Sequence, residues 1–110
     1  MTLNQLQKYD EAIRTFNKAL SINPNNVDVL YNKGLALSNL GRDAEAIQFY
    51  DKALAINPNN LDALYNKGIS LYLLGNYTEA IQFYDKILDT DPNDAGALYN
   101  RGLALNQLRR

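Results

Sequence analysis

The sequence predicts an all-α solenoid: about three stacked helical hairpins, with incomplete units at both ends. Three observations predict it. Shifting residues 27–60 by 34 onto 61–94 leaves 20 of 34 positions identical. Within each unit apolar residues recur at close to the 3.6-residue period of a helix. Glycine and proline punctuate the chain at fixed places, with prolines at 24, 58 and 92 and glycines at 34, 68 and 102. Self-similarity at a period of 20–50 residues is the mark of an array whose units bury their cores only by stacking.

The tetrapeptide LNQL stands at 3–6 and again at 105–108, an offset of 102, or three periods of 34. Both copies therefore read as the second half of a unit's first helix. Residues 1–26 then form a partial unit, 27–60 and 61–94 two full units, and 95–110 the first helix of a further one, all in a single array over 1–110. Helices are expected near 10–22, 28–40, 44–56, 62–74, 78–90 and 96–108, with 1–6 the remnant of a separate helix.

In 28–40 the apolar stripe is Val29, Leu30, the stem of Lys33, Leu37 and Leu40. Gly41 and Gly75 allow the tight turn that follows. The second helix carries Ala46, Ile47, Tyr50, Ala53 and Leu54 on its apolar side, and Asn57-Pro58-Asn59-Asn60 ends it, because proline cannot continue the hydrogen-bond ladder. Asn60 or Asp62 can cap or favour the next helix. Gly34 with Ala46, and Gly68 with Ala80, are expected where paired helices come closest.

Composition removes several function classes. Apolar residues make up 46% and charged residues 21% of the 110, and the net charge is −1. No strong field draws the chain to nucleic acid or to an anionic membrane, so neither is expected as a partner. The chain has no cysteine and no histidine, so a thiol nucleophile, a disulfide and the commonest general base are all missing. The polar N-terminus and the lack of an apolar run near the roughly 20 residues of a membrane span make a cytoplasmic location the expectation. Asp51-Lys52 and Asp85-Lys86 recur at the repeat period and read as exposed helix charges rather than catalytic groups. DTDPND at 89–94 starts like a calcium loop, but Asp94 stands where such a loop needs glycine and Asn100 where it needs glutamate. No enzyme activity, metal or cofactor is expected.

A 34-residue helix–turn–helix unit with Gly34, Ala46, Tyr50, Ala53 and Pro58, then Gly68, Ala80, Tyr84, Ile87 and Pro92, resembles the tetratricopeptide repeat (TPR) over the whole chain. The family's early tryptophan is replaced by Leu30, Leu64 and Leu98, and its late small residue by Ile87. Asp43 replaces the tyrosine seen at Tyr9 and Tyr77, so looser packing is expected at that turn. The resemblance implies a right-handed superhelix whose first helices line a concave groove. YNKG at 31–34 and 65–68, and YNRG at 99–102, would then place Tyr31, Tyr65 and Tyr99 in one row and Asn32, Asn66 and Asn100 in another. Leu35, Ile69 and Leu103 lie a turn further on, flanked by Ser38, Tyr72 and Asn106.

A carboxamide has both a donor and an acceptor, so an asparagine row can hold a peptide by its backbone. The row resembles that in the TPR superhelix of O-linked N-acetylglucosamine transferase. A non-enzymatic scaffold for an extended peptide or partner segment is the expected function. The family's carboxylate clamp fits poorly: Tyr31 stands at its first lysine, Leu35 at its second asparagine and Gly96 at a later lysine. The terminal helices are uncapped, with Leu98, Leu105 and Leu108 on the last and Ala12 on the first second-type helix. That pattern is expected of a fragment of a longer array, or of a homo-oligomer docking through its chain ends, either head-to-tail or by two last helices pairing across a two-fold axis.

Overall fold

The computed structural model describes residues 1–109. It contains six helices in antiparallel succession: α1 (Leu3–Ile22), α2 (Val27–Asn39), α3 (Asp43–Ile56), α4 (Leu61–Leu73), α5 (Tyr77–Thr90) and α6 (Ala95–Leu108). Each helix packs chiefly on the next. Five begin and end within a residue or so of the positions expected from the periodicity.

The exception is α1. Residues 3–6 are not the end of a separate helix; they run without a break into the second-type helix that follows. The reason is one residue. Gly41 and Gly75 turn the chain with φ of 78° and 83°. Gln7 occupies the same register one period earlier, and a side chain strongly disfavours that left-handed conformation. The helix therefore continues, started by Thr2 and Gln5 in a reciprocal capping box.

At the two glycine turns the helix closes in the same way. Arg42 N–H donates to the Leu37 carbonyl at 2.9 Å, and Asn76 N–H to that of Leu71 at 2.8 Å, satisfying carbonyls that the ended helix leaves open. The proline turns hand over to the next helix through side-chain caps. Asn26, Asn60 and Asp94 accept from the backbone N–H of Val29, Ala63 and Ala97 respectively.

The contact that sets the hairpin is glycine against tyrosine. A Cβ on Gly34 would lie 2.6 Å from the Tyr50 ring and 3.2 Å from the Ala46 carbonyl oxygen, and one on Gly68 would lie 2.7 Å from Tyr84. Tyr50, Ala46 and Ala53 are wholly buried, as are Tyr84 and Ala80. Stacking then adds a second constraint. Among the described residues the backbones of α2 and α4, and of α4 and α6, approach closely, whereas those of α1, α3 and α5 stay farther apart. First helices that meet and second helices that splay curve the array, leaving α2, α4 and α6 on its inner side.

Gly102 has the same register but nothing within 4 Å of its would-be Cβ. Gly102→Ala is expected to stabilise the chain by about 0.5–1 kcal/mol, the helix-propensity difference alone. Gly68→Ala is expected to cost about 1–3 kcal/mol by overpacking against Tyr84. Urea denaturation of the two variants checks both signs.

Candidate functional site

The inner face of α2, α4 and α6 carries the tyrosine and asparagine rows, and the structure ties the rows together. Asn66 Nδ2 donates to the Tyr31 hydroxyl oxygen at 2.8 Å and to the Asp62 carbonyl oxygen at 2.9 Å. Asn100 Nδ2 repeats this with Tyr65 at 2.7 Å and the Gly96 carbonyl at 2.9 Å. A carbonyl oxygen can only accept, so the amide nitrogen faces inward and the carboxamide oxygen is left on the other side. The asparagines therefore do not present donor and acceptor alike, as the sequence led one to expect; both amide hydrogens are already in use. Asn32 donates, among the described residues, only to the Asp28 carbonyl at 2.8 Å.

Beneath this row lies a second layer of tyrosines. Tyr31 rests on Tyr50 with ring centroids 5.9 Å apart, and Tyr65 on Tyr84 at 6.3 Å. Among the described residues the buried Tyr84 hydroxyl has no hydrogen-bond partner, and the buried Tyr50 hydroxyl makes no bond of ordinary geometry although Ser38 stands toward it. Burial pushes both phenols up, Tyr84 to about 12. Tyr31 is raised as well, by its own partial burial and then by the neighbouring Asp62 carboxylate.

Leu35, Ile69 and Leu103 are half-buried along the same helices, while Tyr99 is largely exposed on α6. Tyr72 packs edge-on against Tyr77, centroids 5.2 Å apart, and accepts from Gln107 Nε2 at 3.4 Å. One unit earlier the same two places hold Ser38 and Asp43, and here the expectation of loose packing fails. Asp43 is buried, and one of its carboxylate oxygens accepts from Ser38 Oγ at 2.7 Å and Ser70 Oγ at 2.9 Å. Ser70 is itself wholly buried where the other units have Ala36 and Ala104. Three polar side chains from α2, α3 and α4 thus replace an aromatic pair and fill the same seam.

The outer flank is organised by charge. Lys33 and Lys52 lie over the Phe49 ring, and Lys67 and Lys86 over Phe83, at 4.0–4.7 Å from the ring centroids. Lys67 also pairs with Asp51, and Arg101 with Asp85 at 2.7 Å. Lys33 has Asn17 where those lysine and arginine partners are acidic, and burial followed by repulsion from Lys52 lowers its pKa. The Asp-Lys dipeptides are thus partly tied into inter-helix pairs rather than simply solvated. In the 89–94 turn, Asp91 accepts from Asn93 N–H and Asp94 caps α6.

Tetratricopeptide-repeat family models match residues 44–104 and 27–60, and a further model described as TPR repeat matches 2–41. The chain belongs to the tetratricopeptide-repeat family. Its fold is that of solved TPR structures. The first TPR of Spaghetti (RPAP3), bound to the HSP90 peptide SRMEEVD, superposes with a TM-score of 0.89 at 27% identity, covering 96% of this chain and 83% of that one. MamA (41-end) from Desulfovibrio magneticus RS-1 gives 0.86 at 33% identity, over 90% of this chain and 56% of that one. A tetratricopeptide repeat protein from Parabacteroides merdae gives 0.86 at 29% identity, with 94% and 41% covered. The chain thus spans most of the first of these and about half or less of the other two. No curated protein matches.

The buried TPR tyrosines set a pH dependence. An unfolded tyrosine ionises near pH 10, whereas the folded Tyr84 phenol holds its proton to about pH 12. Native chains therefore bind more protons in that window, and stability present below pH 10 is lost as pH rises through it. Tyr84→Phe removes the group and is expected to flatten the fall between pH 10 and 12 while leaving neutral stability equal or slightly higher, since an unpartnered hydroxyl goes. Thermal melts across that range check it.

Proposed function

We propose that this chain is a non-enzymatic protein-interaction scaffold that holds an extended peptide or partner segment along α2, α4 and α6. One observation carries the reading: the paired asparagine and tyrosine of successive units. The amide hydrogens of Asn66 and Asn100 are used internally, so their Oδ1 atoms remain as acceptors. The Tyr31 and Tyr65 hydroxyls accept those bonds, and their own hydrogens remain to be donated. Each tyrosine–asparagine pair therefore offers one acceptor and one donor, the complement of a peptide N–H and C=O. Leu35, Ile69, Leu103, Tyr72 and Tyr99 supply apolar contact beside them. Peptide binding by a structural neighbour, the first TPR of RPAP3, supports a peptide-binding role.

Two such pairs at roughly 1 kcal/mol net per hydrogen bond, added to the apolar contact beside them and offset by ordering a flexible ligand, give a Kd on the order of 10 µM or weaker. A library of immobilised extended peptides, probed with protein confirmed to be equally helical, tests the proposal. Asn66→Ala and Asn100→Ala are each expected to weaken the best peptide about tenfold. Asn32→Ala, which has no tyrosine partner, is expected to change it less. Equal effects at all three positions, or none, would remove the pairs from the site.

A second reading is favoured by the exposure of α6. Leu98 is 50% exposed where its counterparts Leu30 and Leu64 are 3% and 6%, and Leu105 is 38% exposed against 2% for Leu37 and 4% for Leu71. Gly102 lacks the tyrosine that covers Gly34 and Gly68. The Ala12 face of α1, with Phe16 in the register of Tyr50 and Tyr84, is what those residues meet inside a complete unit. Docking of α6, through Leu98, Leu105 and Leu108, on α1 of a second copy is heterologous and propagates unless a rotation closes it. Light-scattering mass is expected to rise with concentration and to stay monomeric in Leu98→Glu with Leu105→Glu; a wild-type monomer at about 200 µM removes this reading.

A further inference from the structure

We infer that the partner segment is basic: a lysine or arginine of the extended peptide enters the pocket between the N-terminal turns of α4 and α6. The inference rests on the groove reading above and names the chemistry of its ligand.

The pocket has a volume of about 430 Å³ and is lined by Leu61, Asp62, Tyr65, Ile87, Asp94 and Gly96. Its walls suit the methylene stem of a long basic side chain, and its two carboxylates suit the charged head, the division such side chains favour. The face of Tyr65 is a further site for a cation. The pocket stays open because Gly96 stands where the two preceding units carry Asp28 and Asp62, and a Cβ there would meet the Tyr65 hydroxyl at 3.0 Å. That hydroxyl accepts from Asn100, so the pocket adjoins a backbone-holding pair. A peptide held by its main chain at Tyr65 and Asn100 has a neighbouring side chain within reach of it.

Charge across the molecule points the same way. None of the cations of the two full units lines this pocket: Lys33 and Lys52 lie on Phe49, Lys67 and Lys86 on Phe83, and Arg42 pairs with Glu45, although Lys86 lines the adjoining cavity that shares Leu61. Arg101 is paired with Asp85. The acids that form ion pairs are Glu45, Asp51 and Asp85. Asp28, Asp62 and Asp94 are three of the nine acids that form none among the described residues; what sets them apart is their place at the N-terminal ends of α2, α4 and α6. The groove therefore carries carboxylates at one end that meet helix N-termini but no side-chain cation, Asp94 using one oxygen to cap α6. Exposed carboxylates each contribute modestly, so the expected preference for a basic over an acidic residue is about tenfold at low ionic strength, shrinking with salt.

The probes are three fluorescent pools of extended nonapeptides, randomised at flanking positions among small and β-branched residues. Their central residue is fixed as lysine, norleucine or glutamate. Anisotropy at low salt is expected to rank lysine tightest and glutamate weakest. Asp62→Asn with Asp94→Asn is expected to erase the lysine preference and leave the norleucine pool within about twofold. Asparagine keeps the α6 cap, so the fold survives that change. If the pools bind equally, if glutamate binds tightest, or if the preference outlives the double substitution, the basic-residue inference is overturned while the groove stands. If no pool binds, the groove reading fails and takes the inference with it.

Discussion

The tyrosine ring laid on a glycine is the contact on which the rest depends. It lets α2 approach α3, and α4 approach α5, closely enough that no side chain fits between. That spacing places Tyr31 on Tyr50 and Tyr65 on Tyr84. The exposed member of each stack then reaches along the inner face to the asparagine of the next unit. A core contact within one hairpin thus decides where a surface hydroxyl can go. The same contact is expensive in polar terms, because it buries the Tyr50 and Tyr84 hydroxyls without well-formed hydrogen bonds among the described residues. Their ring area outweighs that loss: a fully buried aromatic is worth several kcal/mol, against about 1–3 kcal/mol for an unmet polar group.

Successive units are joined by two chemically different seams. Between the first and second full units the join is a buried carboxylate holding two serine hydroxyls. At the equivalent places one unit later it is an aromatic pair capped by Gln107. The substitutions come as a set. A tyrosine at 43 alone would leave Ser38 and Ser70 without their acceptor, and an alanine at 70 alone would remove one of the two donors. A buried carboxyl is tolerated only when its hydrogen bonds are made, and here they come from the two helices on either side, α2 and α4.

Much of this was legible in the sequence, because period and punctuation act locally. Helix bounds, caps and glycine turns depend on a few neighbouring residues, and they emerged close to where the pattern placed them. The misses were comparisons between units that the pattern alone did not weigh. Gln7 differs from Gly41 and Gly75 at a turn, and a missing glycine meant a continuous helix. Asp43 differs from Tyr9 and Tyr77, but its compensation lies at Ser70, 27 residues away, where serine replaces Ala36 and Ala104. The asparagine row was found by its recurrence. Which of its atoms were already in use depended on a tyrosine 35 positions earlier, which only the stacking of α2, α4 and α6 brings near.

A row of asparagines can be packing or a site, and in the proposed groove one arrangement would serve both roles. An unanchored carboxamide on a helix surface would sample several rotamers, and a ligand would have to order it at an entropic cost. Asn66 and Asn100 are each held by a tyrosine hydroxyl and a backbone carbonyl, so that cost is met during folding rather than on binding. The bonds that join unit to unit leave the acceptor oxygen in a fixed place beside a hydroxyl that can still donate. Asn32 has only its carbonyl anchor, which makes it the less ordered member of the row. The groove is therefore most preorganised at the two junctions between full units and α6, and each further unit stacked in the same way would add one more such pair.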